Sequence, residues 1–274
     1  MAMINVMRRL IILSTIFFIP ITTSAEYALV ADYVIDGKSD DPLKNKVILV
    51  SGKKIVSIID IDAIPEKYTV INLPETTLMP GMVNAHEHPL LYQSDYQNGH
   101  LQASSAFKAL IGLKTLQGLL ASGWTSIRVM GDGDIYYANQ DIRKAIDRDM
   151  FLGPRLTGAA HYISITGGGG DINYLSSEQA VIADGLIADG PHEIRKAIRQ
   201  EIKFGSDWIK IMVTGAFMSV GDNPENVSFS PEELRAAVEE AARHNIPVAA
   251  HAHATEGINQ AVIAGVRSIE HGSF

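Results

Sequence analysis

From residue 76 onward, short apolar runs rich in Val and Ile alternate with longer stretches whose apolar residues recur every three to four positions. This alternation constrains the chain more than any other feature, because strands interleaved with helices can bury their apolar faces only as a parallel sheet covered by helices. Strands are predicted over 78–85, 124–130, 155–159, 208–213, 246–250 and 266–270. Helices are predicted over 101–121, 139–148, 191–204, 231–244 and 255–264. Pro191 stands at a first helical turn with Gly205 just past the end, and Ser230-Pro-Glu-Glu233 is a capping box. Two α/β architectures fit: an open doubly wound sheet, or a TIM-like (β/α)8 barrel of which about six βα units are present.

The barrel-type pattern is expected over 76–274. Ahead of it, residues 26–75 carry strand patterns at 27–36 and 47–61, turning at Ser51-Gly52-Lys53, and read as a small N-terminal β part running to about Leu73. Residues 1–25 read as a secretory signal peptide: Arg8 and Arg9, an apolar run over 10–21, then small residues up to Ala25. The run is shorter than the roughly 20 residues that span a bilayer and Pro20 interrupts it, so no stable membrane anchor is expected. The chain has no cysteine. Export without disulfides points to a bacterial periplasm, and thiolate metal sites and a Cys nucleophile are excluded. With 23 basic against 31 acidic residues and no basic cluster, a nucleic-acid partner is not expected.

The nine histidines carry the chemistry. His86 and His88 close the first barrel strand in MPGMVNAHEHP; alternate strand residues share a face, so both rings point one way and Glu87 the other. At the carboxyl end of a barrel strand that direction is the mouth where active sites are built, and two imidazoles there suit one divalent ion. His251 and His253 repeat the spacing after the fifth strand, and His271 closes the sixth. Lys210 sits inside DWIKIMV, where a bare ammonium in a strand covered on both faces is disfavoured. A lowered pKa resolves this, as does conversion by carbon dioxide to a carbamate that can bridge two metals; the neighbouring histidines favour the carbamate. His100, His161, His192 and His244 lack partner spacing and read as surface or packing residues.

Together PGMVNAHEHP, GWTSIRVMGD, SDWIKIMVTGAFMS, FSPEEL, VAAHAHATEGI and AGVRSIEHGS resemble the amidohydrolase superfamily, in particular its imidazolonepropionase-related, Xaa-Pro dipeptidase-like branch. The resemblance implies a (β/α)8 barrel with a flanking β-sandwich built partly from the N-terminal strands, and a binuclear centre of two divalent ions, usually zinc. By it His86 and His88 would bind the first metal, carboxylated Lys210 would bridge, and His251 and His271 would hold the second. His253 matches no metal position and would face substrate. Relatives often carry a histidine within the stretch that here reads Thr166-Gly-Gly-Gly-Gly170-Asp171. They also place a general-base aspartate at the end of strand eight; no residue here takes that role, and the sequence reads as a C-terminally truncated fragment, inactive by itself.

The implied reaction is hydrolysis of an amide or peptide bond in a small molecule, a dipeptide or an N-acyl amino acid, with the loop over 214–229 shaping specificity. A homo-oligomer is among the expected assemblies. The runner-up is a cyclic-amide hydrolase or a deaminase on the same scaffold; mononuclear deaminases generally lack the bridging lysine. A third reading is an inactive or metal-sequestering secreted protein. Gly167 to Gly170 matches no phosphate-binding pattern and reads as a loop or as backbone approaching substrate, and no Gly-x-Ser-x-Gly nucleophile elbow occurs.

Overall fold

The structure is a computed structural model and describes residues 25–274, so the export signal read over 1–25 lies outside the described residues but for Ala25. The chain forms two compact units, divided between Pro80 and Gly81.

The first unit is a mixed five-stranded sheet of β1 (Glu26–Val34), β2 (Leu43–Lys44), β3 (Lys46–Ser51), β4 (Lys54–Asp60) and β5 (Thr69–Leu78). β1, β3 and β4 run antiparallel, and Gly52 supplies the left-handed turn (φ +58°) that joins β3 to β4. β5 lies parallel to β1. Alternate residues Ala28, Val47 and Leu49 form its small core. The sequence pattern ends this layer near Leu73, whereas β5 continues to Leu78.

The second unit alternates strand and helix: β6 (Met82–Glu87), α1 (Tyr96–Gln102), α2 (Ser105–Ala121), β7 (Trp124–Met130), α3 (Ala138–Asp147), β8 (Arg155–Ala159), β9 (Tyr162–Ser164), β10 (Leu186–Ile187), α4 (Gly190–Lys203), β11 (Ile209–Met212), α5 (Pro231–Ala242), β12 (Val248–Ala252), α6 (Thr255–Ala264) and β13 (Ser268–His271). All strand pairs are parallel, in the orders β6-β7-β8 and β10-β9-β11-β12-β13. Three local differences from the sequence pattern have clear causes. The strand expected over 78–85 is interrupted, because Pro80 has no N–H for a ladder; β6 starts only at Met82. The helix expected over 101–121 is two, because the Ser104 side chain accepts from Phe107 N and starts α2 afresh. β9 and β10 are too short to leave a periodic signal and are missing from the sequence pattern.

The α5 capping box forms as expected: Ser230 Oγ accepts from Glu233 N, and the Glu233 carboxylate accepts from Ser230 N. The main core lies between the second sheet and α4, α5 and α6, from Ile209, Ile211, Val213, Val248 and Ala250 against Ile194, Ile198, Leu234 and Ala237. Full burial of each Ile, Leu or Val contributes about 1.5–3 kcal/mol. Because strand side chains alternate, placing these residues against the helices sends Lys210, Met212 and His251 to the opposite face. Among the described residues no helix is long and apolar enough to cross a membrane.

Candidate metal centre

Five of the six residues singled out from sequence line one cavity of about 250 Å³: His88, Lys210, His251, His253 and His271. The sixth, His86, borders it through its neighbours, its ring centroid lying 4.9 Å from those of both His88 and His271. Potential ligand atoms of His251, His253 and His271 all lie within 4.8 Å of one another.

Each pair is held by its strand end. His86 Nδ1 faces Glu270 Oε2 at 2.6 Å, and His88 Nδ1 faces the Gly131 carbonyl at 2.5 Å. Both acceptors place the ring hydrogen on Nδ1 and leave Nε2 as a lone pair. Those two Nε2 atoms are 3.1 Å apart. Two lone pairs at that distance repel unless a cation or a proton lies between them, so the donor set fits a divalent ion. Glu270 is in turn bound by Arg128 Nη2 at 2.8 Å and by Ser268 Oγ at 2.7 Å. Asp132, fully buried on the loop after β7, accepts from Leu90 N and fixes the backbone just after His88.

On the other side, His251 Nε2 meets the Gly215 carbonyl at 3.0 Å and His253 Nδ1 meets Ser273 Oγ at 3.0 Å. His271 is placed by backbone rather than by alternation. Ile269 packs toward the helix side, and regular pleating would send His271 the same way. Instead His271 adopts a left-handed conformation (φ +76°), and its ring comes to 4.6 Å from His251 and stacks on His253 at 5.0 Å. A left-handed non-glycine residue at a strand end is a local strain of the kind found at functional positions.

The electrostatics keep these imidazoles ready to ligate. Burial, with the nearby Lys210 charge, holds His88 and His251 down at about 3, and the same two causes hold His271 at about 4. Lys210 is itself 2% exposed, and burial pushes its ammonium down to about 7 although Glu270 opposes the shift. Burial also disfavours the Glu270 carboxylate, but the His86 and Ser268 hydrogen bonds and the Arg128 and Lys210 charges outweigh it and hold Glu270 at about 2.

The remaining cavity wall is largely apolar and aromatic, from Leu91, Tyr96, Tyr162, Met212, Phe217 and Met218. Phe217 and Met218 belong to the 214–229 loop expected to shape specificity, and Gly169 of the glycine run borders the same space. A second cavity of about 290 Å³ lies beside His100, Lys108 and Asp134. Its polar groups are already engaged, Lys108 Nζ with the Gly133 carbonyl at 2.8 Å and with His100 Nδ1 at 2.7 Å. His161 is packed elsewhere, bonded to Glu201 and to the Asp134 carbonyl.

Residues 77–274 match the model of the amidohydrolase family. The chain belongs to that family. It is 32% identical, over 99% of its length, to ochratoxinase of Aspergillus niger. Among solved structures, a Xaa-Pro dipeptidase with bound methionine in the active site matches 90% of this chain at 32% identity and a TM-score of 0.81. A prolidase complexed with N-methylphosphonate-L-proline matches 90% at 29% identity and 0.80. The chain spans 58% of the ochratoxinase and 61–62% of these two solved chains. Its parallel strands are thus part of an amidohydrolase (β/α)8 barrel.

Sequence reasoning missed Glu270, Arg128, Tyr96 and Tyr162. For Glu270 and Arg128 a signal existed, since two opposite charges inside strands of a parallel sheet need each other. Tyr96 and Tyr162 carry no such pattern, because their approach to the cavity depends on α1 and on the short strand β9.

Proposed function

We propose that this chain carries the histidine–lysine part of a binuclear metal centre in a hydrolase of amide or peptide bonds, acting on a dipeptide or an N-acyl amino acid. The observation that carries the proposal is the facing pair of His86 and His88 Nε2 atoms, 3.1 Å apart, with both Nδ1 atoms tied to acceptors. When bound, two divalent ions, zinc first among them, would acidify water and polarise a scissile carbonyl.

The chain's own residues prepare that chemistry. His86 and His88 would hold one ion, and His251 and His271 the other. Glu270 keeps a proton on His86 Nδ1, and the Gly131 carbonyl keeps one on His88 Nδ1, so neither ring can turn its lone pair away. Lys210, buried between the histidines, would bridge as its carbamate, formed when the neutral amine attacks carbon dioxide and releases a proton. The low pKa that burial imposes supports this, because it maintains some neutral amine near pH 7. His253, with Phe217 at 4.6 Å from its ring, would contact substrate. The apolar and aromatic wall would pack against the side chains that flank the bond to be cut.

The names of the relatives support the amide or peptide bond over the deamination reading, and Lys210 points the same way. Export to a periplasm belongs to the same proposal, supported by Arg8, Arg9 and the apolar run behind them. The test is metal analysis of the purified protein, followed by a panel of dipeptides, N-acyl amino acids, cyclic amides and aminated heterocycles. Bound zinc with cleavage of the first two classes is expected. Absence of bound metal overturns the proposal, and turnover of cyclic amides or heterocycles alone replaces it with the runner-up.

A further inference from the structure

Gln97 is 1% exposed, stands on α1 and does not itself line the candidate cavity. Its side-chain amide nonetheless joins two loops that do. Nε2 donates to the Asp171 carbonyl at 3.0 Å, and Oε1 accepts from Val220 N at 3.2 Å. An acceptor on one side and a donor on the other fix the amide in one orientation. The same amide faces the buried Asp184 carboxyl, so its loss would cost stability as well as position.

The tie falls at the end of an arch. Within the 214–229 loop, the residues that line the cavity are the consecutive run Ala216, Phe217, Met218 and Ser219. At its start Ala216 N donates to Asp222 Oδ2 at 2.7 Å, and just past its end Gln97 holds Val220 N. Tyr96, next to Gln97, meets Ser219 Oγ at 2.9 Å, and that hydroxyl donates to the Gly169 carbonyl. A β-carbon placed on Gly169 would stand 3.2 Å from Ala216 Cβ, so the two loops touch. Between the pins Phe217 is 62% and Met218 64% exposed, with the Phe217 ring 4.6 Å from that of His253. Side chains so exposed have little packing to fix them, and the backbone ties decide where they stand.

We propose that Gln97 is a positioning residue that holds the 216–219 arch over the cavity, so that Phe217 and Met218 receive an apolar substrate side chain already in place. The inference rests on reading this cavity as the substrate site. It assigns part of the preference for apolar side chains to a residue that touches no substrate, because a surface ordered in advance spares the ligand the entropy of ordering it.

The probes are N-acetylglycine and N-acetyl-L-leucine, which differ only by an apolar side chain. By calorimetry on the whole chain, wild type should bind the leucine ligand about tenfold more tightly, the effect of burying part of that side chain. Gln97→Met fills the space and makes neither tie. It should lower the ratio to about threefold by weakening the leucine ligand alone. Hydrogen exchange across 214–229 should rise about tenfold in the same variant, the effect of one lost hydrogen bond. In a Phe217→Ala background, where the arch has less to present, Gln97→Met should change the ratio much less, a coupling that general destabilisation does not produce. Asp222→Ala frees the arch at its other end and should lower the ratio likewise, so it decides the matter if Gln97→Met fails to fold. Melting curves and metal content are measured on each variant. The proposal is overturned if folded Gln97→Met or Asp222→Ala keeps the wild-type ratio, if both ligands weaken equally, or if folded wild type binds neither or does not prefer the leucine ligand. Because no turnover is read, an amide hydrolase with an unchanged ratio defeats this inference alone, and a metal-free chain with these preferences defeats only the hydrolase reading.

Discussion

Two histidine sites stand in contrast. Around His161 both ring nitrogens meet oxygen acceptors, Glu201 Oε1 at 2.6 Å and the Asp134 carbonyl at 2.7 Å. Glu201 also receives Ala160 N, His161 N and Ser206 Oγ, so the site is closed. Around His88, each ring has one nitrogen tied to the protein, while the other faces a second imidazole. His161 is fully buried while His86 and His88 are half-buried, and the chemistry is opposite. What marks the proposed ligand site is therefore its unspent lone pairs, and the closed site is a staple between β9 and α4.

The contrast can be broken in four ways. The largest effect belongs to the open site: His88→Ala should lower zinc affinity by more than the roughly 10–100-fold typical of an outer partner, whereas His161→Phe should leave metal stoichiometry unchanged. Competition with a chromogenic chelator checks both, and metal loss in His161→Phe would erase the distinction.

Glu201→Leu should act in reverse. It strands three donors at the closed site, His161 N, His161 Nδ1 and Ser206 Oγ, and should destabilise the fold by about 3–5 kcal/mol in urea unfolding, with metal affinity intact.

Glu270→Gln probes the support of the first half of the proposed centre. Because the amide still fills the space but holds His86 Nδ1 less firmly, zinc affinity should fall about 10–100-fold, and the melting temperature should fall as well because Arg128 loses its carboxylate partner. An unchanged affinity would show that the His86–Glu270 contact is mere packing.

The fourth test is of pH dependence. His88, His251 and His271 are held near 3 to 4 when folded, against an ordinary 6.5. Below 6.5 the unfolded chain takes up protons that the folded chain refuses, so metal-free stability should fall as pH drops from about 6.5 toward 4. Glu201 adds to the same slope. Its carboxyl is lowered because the His161 bonds outweigh burial, so its contribution holds above its ordinary 4.5 and is lost on further acidification. Chemical denaturation at pH 7, 5.5 and 4.5 reads this slope, and a flat profile would place the histidines in water.

Much of the candidate site was legible in the sequence because strand chemistry is local. His-x-His at a strand end needs only the two-residue period to put both rings on one face, and Lys210 announces itself as a charge in an apolar strand. His253 illustrates the limit. The spacing that aligns it with His251 is visible, but its stacking on His271 follows from a left-handed residue on a different strand. Asp184 illustrates it further, since nothing in VIADGLI marks a carboxyl that folding buries completely.

By itself, then, the sequence determined the βα alternation, the α5 capping box and the histidines and lysine that come to line one cavity, because those follow from periodicity and side-chain chemistry over a few residues. Only the tertiary structure decided which nitrogen of each ring stays free, which carboxylate steadies it and which side chains wall the cavity. Those depend on partners dozens of residues apart, such as His86 with Glu270 and His88 with Gly131, and on the backbone geometry that brings them within hydrogen-bonding range.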